Sequence, residues 1–242
     1  MQENNNFKMG LRDGLPIALG YLSVSFAFGI YATASGLSVL EAVLISALNV
    51  TSADQLAAVP IIALGGSLFE LALTQLIINL RYALMSVSLS QRMGKSVTVA
   101  DRFLISFVNT DEVFAVAMSK EQAVGRKYMF ALILTPFIGW VSGTLLGAIA
   151  GNILPAVVVS ALGIAIYAMF IAIVVPEAKK KRTTALCVAI SVALSCIFYF
   201  VPALQAVPSG FTVIICAVIA GAALAIIAPV PDTENTEDAQ NA

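Results

Sequence analysis

From Ala131 to Val175, and again from Thr184 to Pro229, the chain carries no Asp, Glu, Lys or Arg. A run of about 20 apolar residues is long enough to cross the hydrocarbon core of a bilayer as a helix. Two charge-free stretches, each longer than that, restrict the chain to a membrane. Only 11% of the 242 residues are charged and 60% are hydrophobic, against about 25% charged in soluble domains. So few charges cannot cover a surface in water. A net charge of −1 and the lack of a long basic run exclude nucleic acid as a partner. The chain has no histidine, and its three cysteines, Cys187, Cys196 and Cys216, lie in apolar segments. That excludes a Cys/His zinc site and a histidine general base, so no metal, no cofactor and no enzyme are expected.

The first half is different. Asp54, Arg81, Asp111 and Glu112 interrupt apolar stretches, where a charge at the centre of a membrane helix costs about 2.5–3.5 kcal/mol. Such residues face a cavity, a partner or a pathway. A polar working half beside an apolar supporting half is a transporter's profile.

Candidate spans fall at 14–35, 39–64, 67–90, 103–118, 127–150, 156–175, 184–203 and 209–228. Residues 1–13 read as a polar cytoplasmic N-terminus, 14–229 as one integral membrane domain and 230–242 as an acidic, disordered tail. The apolar run Leu15–Tyr31 exceeds the 7–15-residue core typical of a signal peptide and reads as a retained first helix.

Two spans are interrupted. Asn49 to Gln55 breaks 39–64, and Asn109 to Glu112 breaks 103–118. Ser52-x-x-Gln55 is a capping box and Asn109-x-x-Glu112 a near relative, so each interruption carries a helix start inside an apolar run. One reading is a broken helix, allowed at membrane depth where the freed backbone is buried in protein or lines a wet cavity. The other is a continuous helix with its polar residues turned to a neighbour. Ile45-Ser46-x-x-Asn49 recurs as Ile105-Ser106-x-x-Asn109. Basic residues favour the cytoplasmic side. If both interrupted segments are re-entrant hairpins, Arg92, Lys95, Arg102, Arg126, Lys127 and Lys179 to Arg182 all fall inside, and both termini with them. The expectation is an all-α polytopic membrane protein with about six full transmembrane helices, two broken or re-entrant segments and an inverted-repeat arrangement.

Gly139, Gly143, Gly147 and Gly151 recur every fourth residue, one helix face without side chains that lets another backbone approach. Its partner is either internal or a second subunit. Candidate binding or coupling residues are Ser52, Asp54, Gln55, Asn79, Arg81, Asn109, Thr110, Asp111 and Glu112. Arg81 either snorkels to the interface or meets a carboxylate, whose two oxygens match the guanidinium fork. Asp111 and Glu112 are adjacent, so on a regular helix they point about 100° apart. Asp54 either caps a half-helix, where the helix dipole favours a negative charge, or serves the site. Gly94-Lys95-Ser96 lacks the earlier glycine of a phosphate-binding loop, since Leu89 stands there, and implies no ATPase.

These residues resemble the large subunit of the AzlC-type branched-chain amino acid permeases. The resemblance runs from about Gly10 to Arg182 and is carried by Gly14–Gly20, Thr51–Gln55, Ile78–Tyr82, Asn109–Ala115, Pro155 and Tyr167–Phe170. It implies export of branched-chain amino acids across the bacterial inner membrane with a small AzlD-type membrane partner; coupling to a proton or other ion gradient is compatible with such a transporter. One departure stands out: the family usually has Gly or Ala where this chain has Asp54, which bears on substrate charge preference and ion coupling. The alternative is a non-transporting scaffold subunit whose intramembrane polar residues only lock helices together.

Overall fold

The computed structural model describes residues 3–155, 157–158, 171, 174–176 and 178–227. Most of the span expected at 156–175, and the acidic tail 230–242, lie outside the described residues. The chain divides into two compact units, Met1–Phe170 and Ile171–Ala242. The first holds α1 (Phe7–Ala34), α2 (Val39–Leu48), α3 (Ser52–Ala63), α4 (Leu68–Arg92), α5 (Val99–Phe107), α6 (Asp111–Met118) and α7 (Arg126–Ile153). The second holds α8 (Arg182–Phe200) and α9 (Ser209–Ile227), joined through a 3-10 turn at Pro202–Leu204. Among the described residues α1, α4, α7, α8 and α9 are long and apolar enough to cross a bilayer. The protein is an all-α polytopic membrane protein, with one two-residue parallel strand pair, β1 (Glu3–Asn4) and β2 (Ala123–Val124), as its only described sheet.

Large apolar side chains are exposed along the helices, for instance Leu76, Leu80 and Leu84 of α4 and Phe103, Leu104 and Phe107 of α5. No soluble monomer keeps so much apolar surface in water. In α8 no residue is buried, and in α9 only Gly210 and Ala220 are. Cys187, Cys196 and Cys216, on these two helices, are free thiols.

The first unit is built on α1 and α7. A Cβ on Gly10 would meet Tyr128 and Ala131; one on Gly139 would meet Ala18; one on Gly143, Leu22 and Ser25; one on Gly147, Phe26; one on Gly151, Thr33 and Ile30. Residue numbers rise together along both helices, so α1 and α7 run parallel, backbone against backbone. The partner of the glycine face is therefore α1 of the same chain. Missing side chains bring the two backbones into van der Waals range, the force that joins helices where lipid is as apolar as the helix. α1 begins at Phe7, ahead of the span expected at 14–35, because the Asn6 side chain caps it by accepting from the Met9 amide.

The parallel pair defines two faces. At the N-terminal face, β1 pairs with β2, Gly125 N–H donates to Asn4 C=O at 2.7 Å and Gly94 N–H to Val124 C=O at 2.8 Å. The Glu3 carboxylate accepts from the Ser96 hydroxyl. The start of α1, the end of α4 and the start of α7 thus meet there. Both ends of the α5–α6 segment are tied to the same face. Asp101 in the first turn of α5 holds Arg126 at 3.0 Å, and Lys120, just past α6, holds Asp13 of α1 at 2.7 Å. With nine and eight residues, α5 and α6 each reach about 12–14 Å, near half the bilayer core. This segment is a hairpin that enters and leaves by the N-terminal face.

The α2–α3 segment does the converse. Leu37 and Ala42, at its start, pack with Phe28 and Ala32 near the end of α1 and with Ala148 near the end of α7. Its far end turns through Gly65 and Gly66 into α4, where Gly65 has a φ of 67°, the left-handed region a glycine enters without strain. α4, 25 residues and about 37 Å long, then crosses to the N-terminal face. The two hairpins enter from opposite faces, as inverted-topology repeats do.

The expected caps are one residue off. Thr51 rather than Ser52 precedes α3, and it makes no capping bond because its hydroxyl faces Asn49 and Asp54. Thr110 rather than Asn109 caps α6, accepting from the Val113 amide, because the Asn109 side chain turns to Ser86 of α4. Gln55 and Glu112 likewise bond elsewhere instead of closing capping boxes.

Candidate functional site

The breaks in the two hairpins lie against one face of α4. Asn49 donates to Gln75 at 2.9 Å and Asn109 donates to Ser86 at 3.0 Å. These α4 residues are 11 positions apart, about three helical turns, so they share a side of the helix. Asn79 and Tyr82 fall between them at helical spacing and complete a polar stripe along this face of the helix.

A cavity of about 290 Å³ lies between this stripe and the breaks, at the low end of the range of about 300–1,000 Å³ for small-molecule sites. Asn49 and Thr51 line it from the first break, Asn109 and Thr110 from the second, and Gln75, Asn79 and Tyr82 from α4. α3 and α6 begin at the breaks and run to opposite faces, so two helix N-termini, each bearing partial positive charge, converge here; α2 and α5 end here and contribute carbonyls. One place offers donors for a carboxylate and acceptors for an ammonium. A second cavity of about 400 Å³ lies toward the N-terminal face and shares Ser106 with the first. Ser86, Ser90 and Arg102 line it, and the Arg102 guanidinium donates to Ser90.

The first break is held by side chains. Gln55 Nε2 donates to the Asn49 carbonyl and to Ser46, and Ser46 bonds Thr144 of α7 at 2.6 Å. Thr144 stands among the α7 glycines and ties the hairpin to the parallel pair. Asp54 is fully buried, facing Thr51, with Oδ1 lacking any hydrogen-bond partner. Arg81 meets Asp111 at 2.9 Å, with the two side chains 56% and 48% exposed. Its guanidinium also donates to the Tyr82 hydroxyl at 2.8 Å and stacks 4.6 Å from that ring's centroid. Arg81 does not snorkel away; it is fixed beside the cavity. Glu112 points elsewhere and accepts from the Tyr21 hydroxyl of α1, whose ring packs edge-on against Trp140 at 5.2 Å.

Asn79, Asn109 and Thr110, named from sequence, line the cavity. Ser52, Asp54, Gln55, Arg81, Asp111 and Glu112 stand around it without lining it. Gln75, Tyr82 and Ser86 were not singled out from sequence, although polar residues at 75, 79, 82 and 86 form a helical period. Tyr21, Thr144 and the Asp13–Lys120 pair had no sequence signal. Outside the spans, the Asp101 carboxyl is held below the usual carboxylate range by hydrogen bonds from the Thr98 hydroxyl and backbone N–H, with Arg126 adding to them. Among the described residues no group of acidic or thiol side chains could hold a metal ion.

Two oppositely inserted hairpins meeting at a polar cavity define a multi-pass membrane protein of the transporter type. Residues 16–154 match the family described as AzlC protein, and the chain belongs to that family. It is 33% identical to the inner membrane protein YgaZ of Escherichia coli over 80% of this chain and 82% of the relative. It is also 33% identical to an uncharacterized membrane protein of Archaeoglobus fulgidus, over 74% of this chain and 79% of the relative. No solved structure matches the chain.

Proposed function

We propose that the protein is the large subunit of a secondary transporter that exports branched-chain amino acids through the cytoplasmic membrane, acting with a small AzlD-type membrane subunit. The observation that carries this reading is the cavity at the two helix breaks, where helix N-termini suit a carboxylate and the ends of α2 and α5 suit an ammonium. Its volume of about 290 Å³ matches a small amino acid, and exposed Leu48 and Phe107 beside the breaks supply apolar wall for an aliphatic side chain. The polar line from Ser106 through Ser86 to Ser90 gives a route from the cavity to the N-terminal face. That face carries Arg92, Lys95, Arg102, Arg126 and Lys127, which by the basic-residue bias makes it cytoplasmic, with the N-terminus.

Proteoliposomes holding the chain, with and without the small subunit, test the reading through counterflow of labelled leucine and valine. Flux that Asp111→Asn abolishes while the protein still inserts and purifies supports it. No flux of any aliphatic amino acid with both subunits present would favour a scaffold whose polar residues only lock helices.

A further inference from the structure

The hydrogen bonds around Asp54 contain one proton too few. Thr51 Oγ lies 2.6 Å from Asn49 Oδ1 and also within hydrogen-bond reach of Asp54 Oδ2. A hydroxyl has one proton and donates once. Two amides decide where that proton goes. Gln75 Nε2 donates to the backbone carbonyl of Asp54 at 3.0 Å, which leaves Gln75 Oε1 to accept from Asn49 Nδ2 at 2.9 Å. Asn49 therefore presents its carbonyl oxygen to Thr51, and a carbonyl oxygen only accepts. Turning one amide over sets like atoms face to face between Asn49 and Gln75. Turning both sets Gln75 Oε1 against the Asp54 carbonyl oxygen, which no proton can bridge. The Thr51 proton is thus committed to Asn49. Its contact with Asp54 is a hydrogen bond only if the carboxyl supplies the proton.

We infer that Asp54 carries a proton in this conformation, bound between Oδ2 and Thr51 Oγ, and that an amino acid ammonium entering the cavity displaces it. The exchange rests on the transport reading above; the bound proton does not. The surroundings favour the neutral form. Asp54 is fully buried and its Oδ1 makes no well-aligned hydrogen bond, with only the neutral amides of Asn79 and Asn49, besides Thr51, close to the carboxyl, so a carboxylate there would be poorly solvated, which is costly. The titratable groups that act on it come from α4, Arg81 and Tyr82, and Arg81 is engaged by Asp111. α2 and α3 present uncharged Ser46, Asn49 and Gln55. Thr51, Asn49 and Gln75 line the cavity, so the bound proton is one side chain from the cargo. When an ammonium arrives in the cavity the O–H bond of the carboxyl breaks, the proton passes through the cavity to bulk water, and the carboxylate pairs with the ammonium. The ammonium takes the proton's place at the carboxyl while the cargo's own carboxylate stays at the helix N-termini, so the site becomes one unit more negative, and proton and cargo exclude one another, which couples them in opposite directions.

The test is pH-difference infrared spectroscopy on the full-length protein in nanodiscs. The expected result is a protonated-carboxyl C=O band that titrates, shifts with 13C-aspartate and is missing in Asp54→Asn but present in Asp111→Asn. Thr51→Val removes the acceptor and should move the band to higher frequency. A band unchanged in Asp54→Asn, no carboxyl band at all, or a response to sodium rather than to pH overturns the bound proton. Should Asp54→Asn fail to fold, an unshifted band in Thr51→Val overturns it as well. Leucine added to weakly buffered protein should release a proton. A band that titrates and is lost in Asp54→Asn, without release by leucine, overturns the exchange alone and separates failure of the transport reading from failure of the proton site.

Discussion

Arg81 on α4 holds Asp111 on α6 at 2.9 Å, so a full-length helix and a half-helix share a charge pair beside the cavity at the breaks. Both side chains are about half exposed, yet at this depth exposure means lipid, cavity or partner rather than bulk water, and separation of the charges is costly. Arg81 also donates to Tyr82 and stacks on its ring, and a compact ammonium is a point charge that cannot hold the carboxylate, the hydroxyl and the ring face together as a planar guanidinium does. Arg81→Lys should therefore express near the wild-type level and lose most amino acid export, read as intracellular valine or leucine accumulation after dipeptide feeding. Normal export by the lysine variant would remove Arg81 from the site.

The parallel α1–α7 pair predicts opposite outcomes for two glycines. A side chain at Gly143 would strike the Leu22 backbone and Ser25, whereas one at Gly20 meets nothing within 4 Å. Overpacking costs about 1–3 kcal/mol when neighbours can give, and a backbone cannot. Gly143→Leu should abolish recovery of monodisperse protein in detergent, and Gly20→Leu should leave it unchanged. Equal behaviour of the two would mean the helices do not meet in this register.

Hairpins entering from opposite faces fix the sidedness of three exposed positions. In a background without the native cysteines, Cys at Lys95 and Cys at Lys127 should react with an impermeant thiol reagent from the same side, and Cys at Gly65 from the other. Opposite labelling of Lys95 and Lys127 would make 103–118 a crossing segment.

Asp101 predicts an acid limb in stability. Its carboxyl is held below the ordinary aspartate value, first by Thr98 and then by Arg126. A depressed folded value means that the contribution is present above the unfolded pKa of about 3.9 and is lost as pH falls through the lower folded value. Thermal unfolding in detergent should show Asp101→Asn less stable than wild type near neutrality, with the gap narrowing below pH about 4. A gap independent of pH would place the effect in packing rather than charge.

Membrane residence, the two interruptions and the glycine face were legible because each is a one-dimensional pattern: a run length, a helix-start signature, a spacing of four. The bias of basic residues also pointed to hairpins entering from opposite faces, since charge sorting acts on loops one at a time. The exact caps were not legible. Thr51 and Asn109 have partners outside their own turn, and a side chain that bonds across a break cannot also cap its helix. The stripe at 75, 79, 82 and 86 was written in the chain, yet its meaning needed Asn49 and Asn109 to arrive against it from opposite faces. Only the tertiary structure could decide that α1 covers the glycine face, that Glu112 turns to Tyr21 rather than to Arg81, and that Thr51 stands between Asn49 and Asp54. These pairings depend on which backbones approach each other in three dimensions, and packing between distant segments sets that approach, which no local period records.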